Sequence, residues 1–158
     1  MRGPAFIDQV LFAGLTQQAA DSPRLRYHHG FHTMDEPCHR LSIGMQPDTY
    51  VAPHRHLDLT KAETLLVLKG RIGVLFFDEE GALTGQRLLE AGGDCVGVDF
   101  PPGLYHSLVV LETDTVIFEC KAGPFRALQD NEYGPWAPRE GEPGTQAYRD
   151  WMAARFES

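Results

Sequence analysis

Cysteine is scarce in this chain and cannot be paired off. The three residues, Cys38, Cys95 and Cys120, are odd in number and share no close spacing, so neither a disulfide framework nor a zinc ribbon is indicated and the thiols are expected to be reduced and mostly buried. Positive charge is also short. Fourteen Lys and Arg stand against 22 Asp and Glu, a net charge of -8, and no basic cluster offers a surface for nucleic-acid phosphates. No apolar run has the length needed to cross a bilayer. The stretch from Phe6 to Leu15 is interrupted by Asp8 and Gln9, and no small-residue cleavage site follows it, so the chain reads as cytoplasmic with no membrane partner. Internal repeats are absent. At 158 residues the length suits one domain, residues 1–158, that closes a hydrophobic core without crosslinks. A small molecule is the ligand class that remains.

What the chain does have is a concentrated set of metal-type donors. In Pro53-His54-Arg55-His56 the two histidines are two apart, so an extended backbone sends both imidazoles from one face and Arg55 from the other. Glu63 opens the branched run Glu63-Thr64-Leu65-Leu66-Val67-Leu68-Lys69, ended by Gly70-Arg71, a strand followed by a tight turn. Pro101-Pro102-Gly103-Leu104-Tyr105-His106 places a third imidazole behind a rigid corner. Three imidazoles and a carboxylate complete a four-ligand shell with positions open to water or substrate.

Around this motif the patterning is mainly β. Phe6, Ile7, Val10, Leu11 and Leu15 recur at helical spacing and Asp21-Ser22-Pro23 supplies a stop, predicting a helix over the first twenty residues. Strand alternation appears over residues 40–45. His28, His29 and His32 lack a carboxylate partner at matching spacing and read as surface or supporting residues. From Tyr50 to Lys121 short strands alternate with turns at Lys69-Gly70, residues 78–81, residues 91–94 and Thr113-Asp114, the spacing of a small jelly roll. A Pro-rich, aromatic segment after Lys121 is expected to lie over the barrel. Thr145 is placed to cap a last helix with Tyr148, Trp151, Met152 and Phe156 on one side.

These motifs resemble the cupin superfamily. The Glu63-to-Gly70 spacing and the Pro101-to-His106 corner match its two signatures, although six residues separate His56 from Glu63 and Val110 stands where an Asn is common. More narrowly, the chain is similar to the WbuC family of cupin-fold metalloproteins. The carrying features are Ser22-Pro23-Arg24, Arg40-Leu41, Tyr50-Val51, Lys61 before Glu63, Phe77-Asp78-Glu79, Phe118-Glu119 with Lys121, and Trp136-Ala137-Pro138 with Glu140-Gly141. The resemblance implies a mainly β fold, a cupin-type double-stranded β-helix (jelly-roll barrel) with an N-terminal helix and a C-terminal segment ending in a helix. Within the single cupin domain, 1–42 holds the helix and leading strand, 43–121 the core with the metal site, and 122–158 the cover. Some family members are associated with surface-polysaccharide biosynthesis, which implies a sugar-type ligand.

The expected cofactor is one divalent ion on His54, His56, Glu63 and His106, and imidazole and carboxylate donors accept zinc, iron, nickel or manganese without the sequence distinguishing among them. Glu119 and Lys121 alternate with Phe118 and Cys120, so both charges share a face that is either cavity or solvent. If cavity, Glu119 accepts a proton, and Lys121 or Arg40 holds an anionic group. Tyr105 is a candidate acid, Lys61 a candidate pocket cation, and Trp136 a plug or a stacking lid. The expected function is an isomerase- or epimerase-type step on a sugar-like or hydroxy-acid molecule. The alternatives are an Fe(II)-dependent dioxygenase and a non-catalytic metal-dependent binding protein. Apolar strand residues Leu66, Leu68, Val74 and Phe76 predict a homodimer.

Overall fold

The computed structural model describes residues 3–157. In chain order it contains α1 (Gln9–Asp21), β1 (Arg26–Gly30), β2 (Cys38–Met45), β3 (Glu63–Lys69), β4 (Arg71–Phe77), β5 (Leu83–Glu90), β6 (Gly97–Phe100), β7 (Tyr105–Val110), β8 (Thr115–Ala122) and α2 (Thr145–Ala153), with single 3-10 turns at Asp130–Glu132 and Ala154–Phe156. The strands form two antiparallel sheets, one in the order β1-β2-β8-β3-β6 and the other β5-β4-β7. The fold is the mainly β jelly roll expected, with a helix at each end of the chain.

Three apolar layers explain the order of elements. Leu41, Ile43, Leu65, Val67, Ile72, Val74, Phe100, Val110 and Ile117 fill the space between the sheets, each large aliphatic burial contributing roughly 1.5–3 kcal/mol. Phe12 and Leu15 of α1 cover the outside of the larger sheet against Val116 and Leu68. Leu75, Phe77, Tyr105 and Val109 on the outside of the smaller sheet are covered by Met152, Trp136, Tyr148 and Phe156. Helix α1 reaches its sheet at backbone contact, because a Cβ on Gly44 of β2 would lie 2.5 Å from the Leu15 carbonyl oxygen. No other residue fits that crossing without moving the helix.

Several expectations need correction. Asp8 accepts the Leu11 N–H at 3.0 Å and caps α1, so Phe6 and Ile7 precede the helix, and they and Val10 are exposed. Thr145 is the first residue of α2 rather than its cap. Gly144, at φ 92°, occupies the cap position without a side-chain bond, a left-handed conformation that favours glycine. Val74 and Phe76 point between the sheets and Leu68 lies under α1. Of these residues and Leu66, the four expected to form surplus apolar surface, Leu66 alone is substantially exposed.

Candidate metal and acid–base centre

Residues 46–62 form no regular strand, yet His54 is held as firmly as a strand residue. It exchanges both backbone hydrogen bonds with His106, N to O at 3.0 and 2.9 Å, the arrangement of directly opposed antiparallel residues. The Pro-Gly corner is tied to the same segment by the Gly103 N–H donating to the His56 carbonyl at 2.8 Å. From the other side the Arg55 N–H donates to the Glu132 carbonyl, the Leu57 N–H to the Glu132 carboxylate, and the Gly134 N–H to the Pro53 carbonyl. The C-terminal segment thus straps the histidine loop against β7.

The imidazoles converge. Ring centroids are 4.6 Å apart for His54 and His106, 5.5 Å for His54 and His56, and 6.3 Å for His56 and His106. His54 Nδ1 bonds the Ala52 carbonyl at 2.9 Å and His106 Nδ1 the Leu104 carbonyl at 2.8 Å, so both rings carry their proton on Nδ1 and present a bare Nε2. Burial pushes His54 down to about 3, helped by His106. It lowers His106 as well, against the opposing pull of Glu63. Both rings are therefore neutral near pH 7, the state a metal requires.

Beside them lies a carboxyl pair. Glu63 starts β3 opposite Phe100 of β6 and Lys121 of β8, and Leu65, two residues on, is opposite Glu119. Glu63, Glu119 and Lys121 consequently share the inner face, which resolves the alternative left open for the latter two in favour of the interior. Glu63 and Glu119 are both buried and hydrogen-bonded to each other. Lys121 Nζ is 3.1 Å from Glu119 Oε2, and His56 Nε2 is 3.2 Å from Glu63 Oε2. Burial and the Glu63 charge push Glu119 up to about 8. Burial alone would raise Glu63 too, but the bonds from Glu119 and His56 hold it well below its usual range. Lys121 is raised by both carboxyl groups despite its own burial. These directions are those of a carboxyl pair in which Glu63 is the more acidic member and Glu119 the less acidic one.

The donor set has the chemistry of a divalent-cation site: neutral imidazoles oriented by backbone carbonyls and an ionised carboxylate. As placed, however, no group of three or more His, Cys, Asp or Glu side chains among the described residues is arranged to hold a metal ion. His56 Nε2 and Glu63 Oε2 are directed at each other.

Other expected residues divide clearly. Lys61 lies at the rim, its Nζ donating to the Pro124 carbonyl at 3.2 Å. It lines a cavity of about 310 Å³ together with His56, Arg126, Gln129, Asn131 and Glu132. Arg40 is not brought to the cluster. It is opposite Cys120, hence on the outer face, and its guanidinium pairs with Glu36 at 2.9 Å. Tyr105 also misses it, because Tyr105 pairs with Phe77 while His106 pairs with Phe76, so the two neighbours leave opposite faces. The Tyr105 ring is buried under the Arg55 guanidinium, 4.2 Å from its centroid. Trp136 packs on Phe77 at 4.8 Å as a plug on that outer side. His28, His29 and His32 remain outside the donor cluster. His32 stacks on buried His39 at 4.0 Å, and His39 is the cross-strand neighbour of Lys121.

Two residues of the site carried no readable signal beforehand. Phe100 stacks on His106 at 4.3 Å and 20°; its position before Pro101-Pro102 hinted only at a strand end. Arg126 lies in an irregular loop and makes no hydrogen bond or ion pair among the described residues, although it faces the same cavity as Lys61.

Comparison with solved structures supports the fold. KdgF from Halomonas sp. superposes with a TM-score of 0.51 at 21% identity, over 66% of this chain and 84% of that one. The conserved SPY1581 protein of unknown function from Streptococcus pyogenes gives 0.53 at 10% identity, over 80% and 93%. Procruciferin, an 11S globulin from Brassica napus, gives 0.52 at 16% identity over 65% of this chain, which spans only 27% of its length. At these identities the likeness concerns the fold alone, and that fold is the cupin jelly roll. No curated protein matches the sequence. The model of a family described as Domain of unknown function (DUF6016) matches residues 7–89, a little over half of the chain, and the protein therefore belongs to the DUF6016 family.

Proposed function

We propose that this cupin binds one divalent metal ion through His54, His56, His106 and Glu63, as its WbuC-type motifs imply, and uses the adjoining carboxyl pair to move a proton on a sugar-like or hydroxy-acid molecule. The observation that carries the reading is the buried contact of Glu63, Glu119 and Lys121 beside three converging imidazoles. Two carboxyl groups joined by a hydrogen bond must hold a proton between them, and burial of such a group demands a compensating use or partner. A cation would take both members of the His56–Glu63 bond. Bound there, it supplies Lewis acidity toward a substrate carbonyl or hydroxyl oxygen.

The chain's own residues supply the rest. Burial, the leading cause that raises Glu119 and one that a cation on Glu63 leaves in place, favours its protonated form, and its role is that of donor to a substrate oxygen. Lys121 Nζ, at 3.1 Å, stabilises the carboxylate left behind, which then takes a proton back, the exchange needed for an isomerase- or epimerase-type step. Lys61 and Arg126 at the cavity rim hold an anionic end of the ligand. Asp58 and Glu132 do not compete for it strongly, since they accept local bonds from Thr60, Leu57 and Gln129.

Elemental analysis of protein purified without added metal tests the assignment, alongside His54→Ala and His106→Ala. The parent is expected to carry about one equivalent that both variants lose. Solvent deuterium exchange into a panel of sugar acids then tests the chemistry, with Glu119→Gln keeping the metal and losing exchange. Retention of metal by the histidine variants, or a parent that takes up none of zinc, iron, nickel or manganese, rejects the reading.

A further inference from the structure

We propose that Cys38 and Cys120 are a modification site, a thiol pair that closes reversibly into a disulfide joining β2 to β8 on the outer face of the larger sheet. Their Sγ atoms lie 3.8 Å apart. In the β2–β8 ladder Cys38 is opposite Ala122 and Arg40 is opposite Cys120, so the two cysteines are diagonal neighbours on one face of adjacent strands. Disulfide formation requires the sulfurs to approach by about a further 1.8 Å, to about 2.05 Å. Because diagonal neighbours start farther apart than directly opposed ones, closure takes a backbone shift at Cys38, the first residue of β2, together with side-chain rotation.

Access and chemistry favour the same pair. Cys38 is exposed and Cys120 half-buried behind it, so an oxidant meets Cys38 first and Cys120 is placed to resolve the product. Burial and the contact with Cys38 raise the Cys120 thiol, with Arg40 directly across the ladder opposing them only in part, so Cys120 stays a thiol and suits the resolving rather than the attacking role. The third thiol, Cys95, lies between β5 and β6 and donates to the Gly97 carbonyl. With a hydroperoxide as oxidant, the Cys38 thiolate attacks one peroxide oxygen, the O–O bond breaks, and a sulfenic acid forms as the other oxygen leaves and is protonated. The Cys120 sulfur then displaces hydroxide from Cys38, giving the S–S bond and water. Two electrons pass from the sulfurs to the peroxide oxygens. Back to back with this pair, on the inner face of β8, stand Glu119 and Lys121, so the crosslink fixes the strand segment that carries them.

Hydrogen peroxide treatment of the Cys95→Ser protein, followed by thiol titration, intact mass, peptide mapping and thermal unfolding, tests the pair. The expected product is a monomer two hydrogens lighter with the Cys38 and Cys120 peptides joined. Its Tm is raised by roughly 5–10 °C, and dithiothreitol reverses the change. Cys38→Ser and Cys120→Ser in the same background gain no such Tm. The proposal is overturned if Cys38 gains oxygens while Cys120 stays titratable, if the product is a disulfide-linked dimer, or if both thiols survive the oxidant.

Discussion

Phe100 and His106 lie face to face, ring centroids 4.3 Å apart and planes within 20°. Phe100 is also the cross-strand partner of Glu63. One buried aromatic ring, 3% exposed, therefore positions a histidine through its face and a carboxylate through its backbone ladder. Glu63 and His106 are thus held by strands β3, β6 and β7, while His54 and His56 lie in the irregular segment 46–62 that is tied to β7 through the His54–His106 bridge, which is how donor groups keep their spacing before any ligand arrives.

Truncating that ring separates support from ligation. Phe100→Ala is expected to lower unfolding free energy by about 3–5 kcal/mol in chemical denaturation and to weaken metal binding at least about tenfold as His106 loses its orientation. Phe100→Leu, which keeps most of the volume, should retain the larger part of both. A variant destabilised by the full amount yet unchanged in metal affinity would leave Phe100 a packing residue only.

Sheet parity gives a second, paired prediction. Lys121 faces inward against Glu119 while Arg40 faces outward against Glu36. Lys121→Met should abolish sugar-acid exchange, because the Glu119 carboxylate formed on proton donation loses its counter-charge in a buried setting. Arg40→Gln should leave metal content and exchange unchanged and cost less than about 1 kcal/mol, the usual worth of an exposed pair. Side-by-side assay of the two variants decides it, and equal loss in both would contradict the assigned faces.

The strap over the smaller sheet should show an acid dependence. Glu140 accepts hydrogen bonds from Arg24 at 2.7 and 2.9 Å and from Arg26 at 2.9 Å, and the Arg24 bonds lead in holding its pKa below the ordinary value. A depressed folded pKa contributes stability that is present above the unfolded value, about 4.3, and is lost as pH falls through the folded one. The parent should therefore exceed Glu140→Gln by up to about 1 kcal/mol at pH 6–7, with the gap closing below about pH 4. Denaturant titrations of both proteins across that range measure it. A gap that persists undiminished at low pH would assign the effect to packing.

Local rules account for much of what was readable beforehand. The two-residue spacing of His54 and His56, the corner ahead of His106 and the shared face of Glu119 and Lys121 follow from backbone geometry that acts over a few residues and were legible in the sequence, as were the turn positions. Of those turns, however, only the one at residues 78–81 closes a hairpin, because β3 and β4, β5 and β6, and β7 and β8 lie in different sheets. The length of 158 residues likewise implied a core that closes without crosslinks.

Which face of each strand is inside depends on packing between distant segments. The period of two tells that Glu119 and Cys120 lie on opposite faces of β8, and likewise Tyr105 and His106 of β7, but not which member is interior, and where Arg40 of β2 stands relative to Glu119 follows only from the strand register. Apolarity could not discriminate, because α1 covers the outside of one sheet and Trp136, Tyr148 and Met152 cover the outside of the other, so both faces of many strands are buried. Phe100 against His106, and Cys38 beside Cys120, are likewise contacts between residues distant in sequence. Their pairing depends on strand order and register, which long-range burial selects and short-range spacing does not encode.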